Sequence, residues 1–200
     1  MSVMANDCEG PLYTVEDLEG MPDDGRRYEL VDGALHVSPA TGHRHQKVVS
    51  KLIMFLGNRC PGDLEVLSAP FSVRPSPTVE LQPDVLVTRA EDVTDKLLPV
   101  APLLVVEVLS PSTAAYDLNT KKAVYERLGV VGYWIVDPRE PTLSVFELDA
   151  EGCYELVAEV KGGDAFHATA PFSVRIVPDD LLSPWGEPGS DERALRTSLS

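Results

Sequence analysis

The chain has 200 residues, which is enough for one compact domain with a full hydrophobic core. It carries 17 basic and 32 acidic residues, for a formal net charge of −15. This acidic balance argues against a protein that coats nucleic acid through a basic surface, although it still allows an enzyme with a locally positive groove.

The first clear element is a β-hairpin over residues 28–37. Its two strands flank Asp32-Gly33, a pair that favours a two-residue type I′ turn. Such a turn places Glu29 opposite His36 on one face and leaves the apolar side chains on the other. Alternation alone predicts that Glu29 faces solvent. For Glu29 on that face, an ion pair with His36 is about as well supported as a functional role.

The remaining elements alternate between helices and strands. Apolar residues at helical spacing over 45–56 predict an amphipathic helix. Residues 79–88 and 103–109 are typical of strands, and the second is apolar on both faces except for one glutamate, as in a central strand. A second helix is predicted over 117–128, ending at Gly129. Further strands follow, so we predict an α/β fold with a central mixed β-sheet flanked by helices, an N-terminal β-hairpin and a C-terminal β-meander.

The expected domain limits follow from these elements. We predict a flexible leader over residues 1–12, a single domain over 13–182 and a solvated tail over 183–200. The three cysteines are odd in number and lack the spacing of a zinc site or a disulfide framework. No segment has the pattern of a secretion signal or the length of a membrane span. We therefore expect a cytoplasmic protein with no membrane partner.

Two carboxylates stand within the predicted apolar strands, at Asp84 and Glu107. An unpaired ionised carboxylate in a low-dielectric interior costs on the order of several kcal/mol, so it is usually paired, neutralised or bound to a metal. Hard oxygen ligands on neighbouring strands suit Mg²⁺, which commonly serves phosphate chemistry. The pair predicts a magnesium site. The alternative is that each acid lies near a strand end, exposed or paired with an arginine.

Lys121 adds a third element on the helix that follows. It shares a helical stripe with Asp117, Val124 and Leu128, at steps of four, three and four residues. A lysine on the stripe that faces the sheet could orient an attacking water or stabilise charge on a phosphate. The local pattern slightly favours the alternative, a surface lysine paired with Asp117. Lys122 competes for the same role.

The order of several motifs resembles a known family. They are YELVDGALHVSP, HRHQ at the start of a helix, LQPDVLV, VVEVLSPST, DLNTKK with a tyrosine four residues on, and GVVGYWIVDP. Over about residues 13–182 this series is similar to the Uma-type putative restriction endonuclease family of the PD-(D/E)XK nuclease-like superfamily. The resemblance implies a restriction-endonuclease-like α/β fold and a homo-oligomer, with a dimer favoured.

The resemblance also implies roles for individual positions. Asp84 matches the aspartate of the superfamily's PD motif, and Glu107 matches its (D/E) position. Leu109 stands where the superfamily has its lysine, and Lys121 matches the place of that lysine on the following helix in the Uma-type pattern. Glu29 matches an early acidic position and becomes a further metal ligand. Supporting positions implied in the same way are His45, Gln46 and Tyr125.

We therefore predict an endonuclease that hydrolyses DNA phosphodiester bonds with Mg²⁺, for which Mn²⁺ can substitute. Asp84, Glu107 and Lys121 are the predicted catalytic residues, and Glu29 supplements the metal ligands. His45 ranks lower, because a lone histidine at a helix start more often caps the helix or packs in the core. Because the chain is acidic, its basic residues must gather at one cleft. The candidates are Arg44, Lys47, Lys51, Lys121, Lys122 and Arg127.

Two alternatives belong to other classes of protein. One is a nuclease-like module that binds or regulates without hydrolysing phosphodiesters. The other is a structural or oligomeric protein whose acids form ion pairs. Binding without cleavage would indicate the first, and indifference to both nucleic acid and Mg²⁺ would indicate the second.

Overall fold

The structure is a computed structural model that describes residues 12–185. The helices in this range are α1 (Val15–Leu18), α2 (His43–Gly57), α3 (Lys122–Leu128) and α4 (Pro178–Leu182). The strands are β1 (Arg27–Val31), β2 (Ala34–Ser38), β3 (Leu64–Ser68), β4 (Ser72–Ser76), β5 (Val79–Leu81), β6 (Val85–Arg89), β7 (Leu97–Leu98), β8 (Leu104–Val108), β9 (Gly132–Asp137), β10 (Thr142–Leu148), β11 (Tyr154–Lys161), β12 (Phe166–Ala168) and β13 (Val174–Ile176).

The strands form two larger sheets and one small sheet. The first has six strands in the order β11-β10-β9-β8-β6-β3, in which β8 and β9 are parallel and the other neighbours antiparallel. The second has five strands in the order β2-β1-β5-β4-β7, and β12 pairs with β13. The predicted mixed sheet, the N-terminal hairpin and the meander of β9, β10 and β11 are therefore confirmed.

The hairpin of β1 and β2 has the predicted register, with Glu29 opposite His36 and Leu30 opposite Leu35. Its turn places Asp32 at φ +50° and the following glycine at φ +82°, so both central residues lie in the left-handed region that a type I′ turn requires. Strand β1 also pairs with β5, which makes it an internal strand of the second sheet.

The prediction of one continuous strand over residues 79–88 is wrong. Strand β5 ends at Leu81 and β6 begins at Val85, so Gln82-Pro83-Asp84 interrupts them. Pro83 has no backbone N–H to donate to a ladder, which accounts for the break. Asp84 consequently lies at the entrance to β6 and not within a strand.

The helix predicted over 117–128 also differs in its first part. Residues Tyr116–Lys121 form a π-helical segment, and α3 continues from it to Leu128. Gly129, at φ +77°, ends the helix as predicted. The segment buries both Asp117 and Lys121. Such π-helical insertions frequently occur at functional sites.

Core side chains cover both faces of the six-stranded sheet. Val106 of β8 belongs to a cluster that includes residues of α2. Val105, on the opposite face of the strand, packs in a second cluster with Val124 and Tyr125 of α3. Glu107 shares the face of Val105 by the two-residue period of a strand. This geometry directs its carboxylate toward the π-helical segment that carries Lys121.

The predicted leader, apart from Leu12, lies outside the described residues, and so does the predicted tail beyond Trp185. The domain limits at 13 and 182 stay a prediction. Among residues 12–185, no helix is both long enough and apolar enough to cross a bilayer.

Candidate active site

Asp84 is held by three donors from different parts of the fold. Its Oδ1 accepts a hydrogen bond from Arg27 Nη2 at 3.0 Å. Its Oδ2 accepts one from the backbone N–H of Val108 at 2.8 Å and lies 3.0 Å from His45 Nε2. Burial alone would raise the pKa of Asp84, but the hydrogen bond with His45 and the charge of Arg27 outweigh it and lower the pKa to about 2. Asp84 is therefore an ionised carboxylate.

Glu107 lies on β8 in a very different electrostatic setting. Its Oε1 accepts hydrogen bonds from Lys121 Nζ at 3.0 Å and from the Tyr125 hydroxyl at 3.2 Å. Burial raises the pKa of Glu107 well above its usual value, and the charges of Asp84 and Asp117 add to that rise while Lys121 opposes it. The two central acids thus have pKa values that shift in opposite directions.

Lys121 is enclosed by carboxylates. Its Nζ lies 3.0 Å from Glu107 Oε1, 3.1 Å from Glu29 Oε1 and 3.5 Å from Asp117 Oδ1. Burial would lower the pKa of Lys121, but these acids raise it well above its usual value. The pair with Asp117 predicted at i−4 exists, yet it is buried and not on the surface.

Lys122 points elsewhere, since its Nζ lies 3.8 Å from the ring centroid of Phe146. Of the two neighbouring lysines, Lys121 is therefore the one that contacts Glu107.

Glu29 is almost fully buried, so the prediction that it faces solvent is wrong. The side chains of β1 alternate between two faces as predicted. The face that carries Glu29, however, packs against Glu107 of β8 and the π-helical segment and does not face solvent. Glu29 Oε1 accepts a hydrogen bond from the backbone N–H of Gln82 at 2.8 Å and pairs with Lys121. His36, the expected ion-pair partner, stacks on Tyr116 with ring centroids 4.2 Å apart.

The supporting residues divide into two groups. His45 and Tyr125 contact Asp84 and Glu107, respectively, and both are buried. Gln46 lies outside this cluster, where its Nε2 donates a hydrogen bond to Thr41 Oγ1 at 2.6 Å.

Arg27 is a member of this cluster that sequence reasoning missed. It lies two positions before Glu29 on β1, and the two-residue period of the strand places both on one face. That relation is a signal that could have found it. Although burial alone would lower the pKa of Arg27, the charges of Asp84 and Glu29 raise it, so the guanidinium is permanently charged.

Two cavities adjoin this cluster and share some of their lining residues. The inner cavity has a volume of about 10 Å³, room for roughly one water-sized particle, and Asp84, Glu107, Glu29 and Lys121 line it. The outer pocket is open and larger, at about 360 Å³. Residues that line both are Arg27, Pro39 and Thr41.

Comparison with known proteins places this geometry in a family. The chain matches Uma2, described as "Putative restriction endonuclease", over residues 15–177. This protein belongs to the Uma2 family. The predicted resemblance is thus confirmed, although no match to a curated protein was found.

A solved structure supports the same fold. The crystal structure of "a putative nuclease belonging to DUF820" from Anabaena variabilis superposes on this Uma2 protein with a TM-score of 0.71. The identity is 16%, and the match covers 84% of this chain and 97% of that chain. At this identity the likeness concerns the fold alone, and it confirms the predicted nuclease-like α/β class.

The buried cluster of this Uma2 protein has more carboxyl groups than permanent cations. Four carboxylates line the inner cavity against the two permanent cations Arg27 and Lys121. The carboxylates are those of Glu29, Asp84, Glu107 and Asp117. Carboxylate oxygens are the kind of donor that a hard divalent cation prefers. Within residues 12–185, however, no three acidic, histidine or cysteine side chains are arranged as a ready metal site. Asp84 and Glu107 instead pair with Arg27 and Lys121.

Of the six basic residues predicted to gather at one cleft, Lys121 lines the inner cavity, and the prediction is wrong for the other five, which line neither cavity. Lys51 is buried, and Lys122 lies against Phe146. Arg127 pairs with Asp32 on the surface. Arg26 and Arg27, which were not among the candidates, line the cavities of this Uma2 protein together with Lys121.

Proposed function

We propose that this Uma2 protein is a metal-dependent endonuclease that hydrolyses DNA phosphodiester bonds, with Mg²⁺ as its cofactor and Mn²⁺ as a substitute. One observation carries the proposal. Asp84 and Glu107 line the same small buried cavity, and the carboxylates there outnumber the permanent cations. The description of the Uma2 family as "Putative restriction endonuclease" supports DNA as the substrate.

Asp84 and Glu107 would hold the cation, with Glu29 as a further ligand. When bound, the cation supplies Lewis-acid stabilisation of the charge that develops on the phosphate. Residues of the protein itself orient the two carboxylates. His45 and the Val108 N–H fix the orientation of the Asp84 carboxylate, and Tyr125 does the same for Glu107.

Lys121 supplies a positive charge next to the reacting phosphate in this proposal. A buried ammonium needs no solvent reorganisation as negative charge builds, which makes it an effective electrostatic catalyst. Its contacts with Glu107 and Glu29 hold it at the inner cavity.

The experiment is cleavage of supercoiled plasmid by purified protein in Mg²⁺, in Mn²⁺ and in EDTA. We expect cleavage with either metal and none in EDTA. Asp84→Asn and Glu107→Gln should each lower the rate by at least about a hundredfold, as for removal of a key electrostatic group. Asp95→Asn is the matched control, because Asp95 is exposed and lines neither cavity. Equal rates in all variants would rule the proposal out.

A second candidate function is supported by one feature of the cluster. Arg27 already pairs with Asp84, and Lys121 with Glu107, so neither acid needs a metal ion to compensate its charge, as expected for a nuclease-like module without hydrolytic activity. Such a module would bind DNA in a salt-dependent manner and leave it intact at all metal concentrations. The same plasmid assay, combined with a mobility shift, distinguishes the two functions.

The homodimer stays a prediction. Light scattering coupled to size-exclusion chromatography measures it directly, since a dimer doubles the 21.8 kDa mass of the chain.

A further inference from the structure

Arg27 bridges the inner cavity and the outer pocket. Its Nη2 donates to Asp84 Oδ1 at 3.0 Å, and its Nη1 donates to the backbone carbonyl of Gln82 at 3.0 Å. The guanidinium therefore contacts the very carboxylate to which the proposed function assigns the metal. It also borders the open pocket through which a polymer substrate would approach.

Arg27 and Lys121 differ in their access to solvent. The side chain of Lys121 is 2% exposed, whereas that of Arg27 is 20% exposed. Lys121 is surrounded by three carboxylates, but the ion pair of Arg27 is with Asp84 alone among the described residues. Of the two permanent cations at the inner cavity, Arg27 is the one that also lines the outer pocket, so an anion that enters this pocket meets Arg27 first.

The chemistry of a guanidinium suits such an anion. Its planar fork donates two parallel hydrogen bonds to a phosphate, with the geometry it also uses toward a carboxylate. The outer pocket, at about 360 Å³, lies in the size range of small-ligand sites and can hold one nucleotide unit. Polar groups of Thr41, Gln46 and Gln82 line it beside Arg26 and Arg27.

We propose that Arg27 is the residue that binds a substrate phosphate, and that it exchanges Asp84 for that phosphate when a nucleic acid enters the outer pocket. The exchange frees Asp84 Oδ1 for the divalent cation. Metal and nucleic acid then bind cooperatively, because each favours the arrangement in which Arg27 has left Asp84. This inference rests on the proposed function, since it assumes that Asp84 holds a cation.

The first test is the affinity of the protein for Mn²⁺ alone, measured by titration calorimetry. Arg27→Gln removes the cation that competes for Asp84, so Mn²⁺ should bind roughly tenfold more tightly than to the parent. Arg26→Gln is the matched control. It removes the same charge from the same pocket, but Arg26 pairs with Asp24, so Mn²⁺ affinity should not change.

The second test is the affinity for a labelled DNA duplex, measured by fluorescence anisotropy with Ca²⁺ in place of Mg²⁺. Arg27→Gln should weaken binding at least roughly tenfold and lower the slope of log affinity against log salt by about one. In the parent, Ca²⁺ should tighten DNA binding, and in Arg27→Gln this coupling should vanish. Arg27→Lys keeps the charge without the planar fork, so its DNA affinity should lie between those of the two proteins.

Melting curves of all variants establish that they are folded. If Arg27→Gln does not fold, Arg27→Lys takes its place in both tests. Suppose that the parent binds Mn²⁺ and cleaves DNA, but Arg27→Gln and Arg26→Gln have the same Mn²⁺ affinity. The exchange is then disproved and the proposed function stands. If the parent neither binds Mn²⁺ nor cleaves DNA, the proposed function and the exchange are both overturned.

Discussion

The ammonium of Lys121 lies 3.0 Å from Glu107 Oε1, and both side chains are almost entirely buried. A buried ion pair of this kind costs desolvation that its attraction repays only when the geometry is good. Removing one member is therefore more harmful than removing both, because it leaves an uncompensated charge in the interior.

Lys121→Met should lower the free energy of unfolding by about 3–5 kcal/mol, the range for breaking a buried pair. It leaves Glu107, Glu29 and Asp117 without their shared cation. Urea denaturation at pH 7 measures the loss. Lys122→Met is the control and should cost only about 1 kcal/mol, since Lys122 contributes a cation–π contact with Phe146. The double variant Lys121→Met/Glu107→Gln should be more stable than Lys121→Met. The opposite order would contradict the account of this pair.

Asp84 should make the protein sensitive to acid. Its pKa in the folded protein is about 2, against an ordinary value of 3.8, so its ionised form stabilises the fold above pH 3.8 and that contribution is lost as pH falls toward 2. The shift corresponds to about 2 kcal/mol at neutral pH. Urea denaturation of the parent and of Asp84→Asn at several pH values from 7 to 2 measures it. The stability difference between them should shrink as pH falls through this window. A difference that is constant with pH would contradict the shift.

Divalent metal should bind more tightly as pH rises. The pKa of Glu107 is raised well above its usual value, so its neutral form stabilises the fold at low pH and that contribution is lost as pH rises through the raised pKa. A cation requires the ionised carboxylate, so binding at lower pH must release a proton. Calorimetry with Mg²⁺ in two buffers of different ionisation enthalpy counts the protons released. Glu107→Gln should release fewer, whereas Asp95→Asn should match the parent.

The sequence predicted the elements better than the packing that brings them together. The turn at Asp32-Gly33 has a local cause, so the hairpin and its register could be read from the chain. The burial of Glu29 could not, because alternation assigns a strand two faces without saying what covers each of them. That information lies in the contact between β1, β8 and the π-helical segment, which brings together residues as distant in sequence as Glu29 and Lys121.

Arg27 was missed for a related reason. A charged residue at the start of a strand is most often solvated, and its role depends on Asp84, which is 57 positions away in sequence. The π-helical segment was also beyond local patterns, since the steps from Asp117 to Lys121 and on to Val124 fit an ordinary α-helix. The resemblance to a family supplied the positions of the acids and of Lys121, whereas only the structure showed that Arg27 pairs with Asp84.

The hydroxyl of Tyr125 donates a hydrogen bond to Glu107 Oε1 at 3.2 Å, and it should help to keep that carboxylate ionised. Tyr125→Phe removes the donor without opening a cavity. The pKa of Glu107 should rise further, so the pH profile of plasmid cleavage should move toward higher pH. The loss of a hydrogen bond to a charged group should also cost about 1.5–3 kcal/mol of stability.

Tyr154→Phe is the matched control for this profile, because the Tyr154 hydroxyl donates to the backbone carbonyl of Val130 at 2.7 Å and has no contact with the acidic cluster among those described. It should reduce stability by about 1 kcal/mol and leave the pH profile of cleavage in place. If both variants shift the profile equally, the shift reflects general destabilisation of the fold. If only Tyr125→Phe shifts it, ionisation of Glu107 limits the reaction, as expected for an acid that must be charged before a divalent cation can bind to it.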